Sequence, residues 1–149
     1  MVEILEIRDT KGEALVTALP VVLEAIQEIG GSLEWSIFYL EVAADGSEIP
    51  VTEIMRGSEN PEPGYRLDYD ELVELSSQLT AIRSGLFVGC KHESGLQLRM
   101  QDSDLYQAYD VLIECFAGEY WRFTAREESM LESVARRFKD VRLASLETL

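Results

Sequence analysis

Apolar and polar positions alternate along the chain in short blocks, each with its own period. Residues 2–8 (VEILEIR) read as an opening strand. Asp9-Thr10-Lys11-Gly12 then has turn chemistry, with Asp first and Gly last. Leu15, Leu19, Val22, Ile26 and Ile29 recur three or four residues apart, which is one helical stripe. Pro20 interrupts it. Proline suits a first helical turn, where no partner for its missing N–H is lost, and it pushes the preceding residue out of the helical region. The pattern therefore predicts a helix over about 20–29 and leaves 13–19 open between a helical turn and an extended strand. Gly30-Gly31 ends the helix.

Residues 34–42 (EWSIFYLEV) are aromatic and β-branched enough for a strand. Asp45-Gly46 turns the chain, and 49–54 pairs back as a short strand that Pro50 confines to an edge or makes irregular. GSENPEPG at 57–64 is a surface loop within the domain. Asp68 caps a helix with Glu71 three residues on, and Leu72, Leu75, Leu79 and Ile82 form its apolar face until Gly85 stops it. Strands follow at 86–91, 110–116 and 120–124, the last two joined by a turn at 117–119. Residues 96–100 form a possible further strand, and 101–108 read as irregular. Thr124 with Glu127 forms a second capping box, opening a helix of about 125–139 with Leu131, Val134 and Phe138 on one face. The expected architecture is α+β: a predominantly antiparallel sheet of about five or six strands packed with three helices in two layers, as a single domain over 1–149.

Composition narrows the class. A chain of 149 residues, 46% hydrophobic and 28% charged, can bury an ordinary core as one domain. Acidic residues number 28 against 13 basic, a formal charge of −15. That balance argues against nucleic acid or an anionic membrane as partner, since each needs a concentrated basic face. The opening MVEILEIRD lacks the basic start and long apolar run of a signal peptide, and no apolar stretch is long enough to span a bilayer, so the expected location is cytoplasmic.

Candidate chemistry is sparse. His92 is the sole histidine, and Cys90 lies two residues away. An imidazole-activated thiolate is one reading of that pair; a strand cysteine followed by a loop histidine is the simpler one. Cys90, His92 and Cys115 would leave a zinc site one ligand short. Two buried thiols are expected of the cysteines in a reducing compartment. Phosphate-loop, dinucleotide-binding, HExxH and EF-hand patterns are absent, so neither a cofactor nor a metal is expected, and no catalytic residue is assigned. Trp121 alternates with Arg122 in phase with Phe123, which suits a core residue better than an interface anchor.

Charge is segregated along the chain. Between Lys11 and Arg56 there are acids but no Lys or Arg, and residues 59–82 add Glu59, Glu62, Asp68, Asp70, Glu71 and Glu74 against Arg66 alone. Arg122, Arg126, Arg136, Arg137, Lys139 and Arg142 gather near the C-terminus. Such a field attracts a cationic partner and speeds encounter, although acidity can also serve solubility alone.

Three phrases resemble small acidic bacterial immunity proteins, which neutralise cognate toxins: LEWSIFYLEV at 33–42, YRLDYDELVELSSQLTAIRSGLFVG at 65–89 and YDVLIECFAGEYWRFTAREESMLESVARRFKDV at 109–141. The resemblance implies a non-enzymatic protein that binds one toxin domain, covering or distorting its active site. Many such toxins are cationic nucleases, and carboxylates could stand where a nuclease expects phosphates. The residues assigned to binding are Glu59, Glu62, Asp68, Asp70, Glu71 and Glu74. The alternative is a small-ligand-binding or homodimeric regulatory domain whose acidity serves solubility, with homo-oligomerisation left open.

Overall fold

Strands that alternate in polarity pair into one antiparallel sheet in the computed structural model, which describes residues 3–8, 13–42, 65–78, 82–92, 109–116, 120–138 and 141–145. In chain order the elements are β1 (Glu3–Ile7), α1 (Glu13–Ala25), α2 (Gln27–Gly30), β2 (Glu34–Val42), β3 (Tyr65–Leu67) and α3 (Tyr69–Gln78). There follow β4 (Ile82–Cys90), β5 (Val111–Phe116), β6 (Tyr120–Ala125), α4 (Glu128–Ala135) and β7 (Val141–Ser145). The seven strands run in the order β3-β2-β4-β5-β6-β1-β7. The N-terminal strand therefore inserts between β6 and β7, joining the two ends of the chain.

Alternation decides which face each side chain takes. Leu5, Ile7, Trp35, Ile37, Phe87, Ile113, Cys115, Trp121 and Phe123 form one buried cluster with Leu19, Val22 and Leu23 of α1, Leu72 and Leu75 of α3, and Met130, Leu131 and Val134 of α4. The helices thus lie on that one face. The opposite face buries Ile4, Phe38, Leu86, Val88, Cys90, Tyr109 and Leu112. Phe38 falls on it by ordinary alternation from Ile37, and the β2–β4 register shift between Ile37 and Tyr39 then returns Leu40 to the helix side. The Trp35 indole N–H donates to the Gly30 carbonyl at 3.0 Å, fastening the end of α2 to β2.

The α+β class and the antiparallel sheet agree with the sequence reading, but the described residues hold seven strands and four helices, not five or six and three. Two added strands are short, β3 with three residues and β7 with five, and the extra helix is the four-residue α2. The open segment 13–19 is helical, and Pro20 sits inside α1. Burial of Leu19, Val22, Leu23 and Ile26 offsets the lost backbone bond.

Gly85 does not stop a helix. α3 ends at Gln78 and Gly85 lies within β4, where a Cβ would stand 2.8 Å from the Phe87 ring. Thr124 does not cap α4 either: it is buried in β6, and α4 starts after Glu127, which makes no side-chain cap bond. The expected strands at 49–54 and 96–100, the loop at 57–64 and the turn at 117–119 lie outside the described residues.

Candidate protein-binding surface

Local chemistry builds the start of α3. The Glu71 N–H donates to Asp68 Oδ1 at 2.8 Å, and the Asp68 N–H donates to Glu71 Oε1 at 3.1 Å. This is the reciprocal capping box read from the sequence, and it uses one oxygen of each carboxylate. Between them Tyr69 turns inward, and its hydroxyl donates to the Leu23 carbonyl, tying α3 to α1. Burial raises the Tyr69 phenol above its ordinary pKa, with smaller contributions from the nearby charges of Asp70 and Glu24. Carboxylates from two helices thus act on one point.

Asp68, Asp70, Glu71 and Glu74 are all exposed, and the structure brings them together along α3. Glu59 and Glu62 lie outside the described residues. The sequence reading missed Glu24 as a neighbour of this surface. It falls in the cation-free run after Lys11, but only the packing of α1 on α3 brings it near Tyr69, on which Asp70 also acts. Glu127, Glu128 and Glu132 are also exposed at the start and along α4. Arg136 and Arg137 follow α4. Arg137 reaches Glu24 at 3.6 Å and Arg136 reaches Glu132 at 3.8 Å, both exposed pairs of small energetic weight. A polar groove of about 380 Å³ runs between α1–α2 and α4, lined in part by Glu24, Gln27, Glu28, Ser129, Ser133 and Arg137.

The opposite sheet face handles charge differently. Register sets Arg142, Glu6, Arg122 and Glu114 side by side across β7, β1, β6 and β5, with alternating sign. Arg122 Nε lies 3.4 Å from Glu6 Oε2, and Arg8 donates to Glu6 Oε1 at 3.0 Å. The Arg8 guanidinium also lies over the Tyr120 ring, 4.2 Å from its centroid. These cations are engaged within the fold, while the carboxylates of the helical layer face outward.

The cysteines do not converge. Cys90 belongs to the buried cluster on the face away from the helices and Cys115 to the helix-side cluster, so the sheet separates them, and both are free thiols. Burial raises the Cys90 thiol, the wrong direction for an activated nucleophile, and His92 is exposed. Among the described residues no group of three or more His, Cys, Asp or Glu side chains could hold a metal. No helix among them is long and apolar enough to cross a membrane. Trp121 is fully buried in the core.

Comparison with protein-family models, with curated proteins and with solved structures found no match to this chain.

Proposed function

We propose that this chain is a non-enzymatic binding protein of the immunity type, which inhibits a basic toxin domain through the acidic surface of α3 and α1. The observation that supports this reading is the outward set Asp70, Glu71, Glu74 and Glu24, contributed by two packed helices. Carboxylates held on a rigid layer present negative charge at fixed spacing, as a nucleic-acid backbone does. A cationic nuclease cleft would meet them without either partner reorganising. Rim charges of this kind act chiefly on the association rate.

Asp70 and Glu74 are the residues to change, because neither takes part in the α3 cap. Binding of D70K/E74K to a panel of purified basic nuclease domains, followed by stopped-flow fluorescence, should be slower than wild type by about tenfold or more at low salt. Its dependence on salt should also flatten. Unchanged affinity and salt slope in a partner that binds the wild type would remove this surface from the reading.

A further inference from the structure

β7 ends the strand order and is paired on one side only, with β1. Among the described residues no strand runs along its outer edge. Exposed edges offer free backbone donors and acceptors, and proteins commonly protect them with lysine, proline or a bulge. β7 (VRLAS) has no lysine, proline or bulge, its one charge, Arg142, lies on the face away from the helices, and its register with β1 runs through five residues without a shift. Its central residue, Leu143, is 62% exposed although it faces the helix side. It stands at the lip of an apolar groove of about 430 Å³ whose walls include Leu5, Leu131, Ala135, Phe138 and Val141.

We propose that β7 pairs with the β7 of a second copy of this chain, antiparallel about a two-fold axis through Leu143, joining the two seven-stranded sheets into one. The strand is self-complementary in that register. Leu143 meets Leu143, Val141 falls opposite Ser145 and Arg142 falls opposite Ala144. A register centred on Arg142 would set two guanidiniums directly opposite each other, which is unfavourable. A slip of one residue would put Leu143 opposite Arg142 and turn the two helical layers to opposite faces of the joined sheet. Registers centred on a residue keep both helical layers on one side, and of these only the Leu143-centred one brings the two leucines together over their grooves.

Charge sets the sign of the salt effect. Each copy carries −15, and Glu128 and Glu132 stand on the wall of the groove. Self-association works against that repulsion, so salt strengthens it. Salt weakens the binding of a basic partner to α3, and the two surfaces are thereby told apart.

Sedimentation velocity of the full chain from about 1 to about 500 µM should show a monomer–dimer equilibrium, a range that suits a contact smaller than a permanent interface. Its dissociation constant should fall as NaCl rises. Leu143→Glu should raise that constant at least about tenfold, whereas Leu143→Met should leave it within about twofold. In a mixture of labelled and unlabelled chains, an isotope-filtered NOE should connect Leu143 methyls across the axis, and this decides the matter even if L143E fails to fold. A monomer at every concentration and salt, a dimer that L143E leaves intact, or a dimer without that NOE each overturns the proposal.

Discussion

Arg122 stands between Glu6 and Glu114 on the rung that crosses β1, β6 and β5. Glu114 is 6% exposed, and the side chains of Arg122 and Glu6 are 17% and 13% exposed. Removing the cation leaves Glu114 poorly solvated and takes one of two cations from Glu6, which keeps Arg8, whereas removing Arg122 and Glu114 together leaves neither charge of that pair buried alone. Arg122→Ala should therefore lower stability by about 2–4 kcal/mol in urea unfolding. Combining Arg122→Met with Glu114→Leu should recover a large part of that loss. Tyr69 carries a pH-dependent contribution. Its folded pKa is raised, so folding favours the protonated phenol. That stability is complete below the ordinary value of about 10 and is lost as pH rises through the higher folded value. Tyr69→Phe should cost about 1 kcal/mol at neutral pH through the lost hydrogen bond to Leu23. The variant should also lose this component of the alkaline fall in stability, as measured by chemical denaturation between about pH 8 and pH 11.

At the scale of elements, β4 depends on the absence of a side chain at Gly85. The Phe87 ring is fully buried, and its Cε2 would lie 2.8 Å from an added Cβ, with Leu40 Cδ1 at 3.6 Å. Gly85→Ala gains β propensity but forces that ring against its neighbours, including Trp121, which stacks on it at 6.3 Å between centroids. Overpacking should win, with a loss of about 1–3 kcal/mol. The near-ultraviolet circular dichroism of the Phe87–Trp121 pair should change with it. A neutral or stabilising Gly85→Ala would mean that the ring has room to move.

Across the whole molecule, the outward carboxylates of α1, α3 and α4 repel one another. With −15 on 149 residues, the folded state is held against its own field. The melting temperature should rise between about 20 mM and about 300 mM NaCl as that field is screened. Glu74→Gln, which lies beyond the first turn of α3 and keeps helix propensity, should raise it at low salt and lose most of the gain at high salt. Stability and partner binding then move in opposite directions in the same variant, as expected where charge serves contact and not the fold.

The sequence by itself determined the α+β class, the β5–β6 pairing, the capping box at Asp68 and Glu71, and the buried role of Trp121. Those features follow from short-range periodicity and from bonds between near neighbours, which the order of residues states directly. It misplaced the stop at Gly85 and the cap at Thr124, because a glycine that admits a ring and a threonine buried in a strand look locally like punctuation. The insertion of β1 between β6 and β7, the separation of the two thiols by the sheet, and the joint action of Glu24 and Asp70 on Tyr69 came only with the tertiary structure. Each depends on which distant segments share a face, and chain entropy and core packing decide that jointly, beyond the reach of any local window.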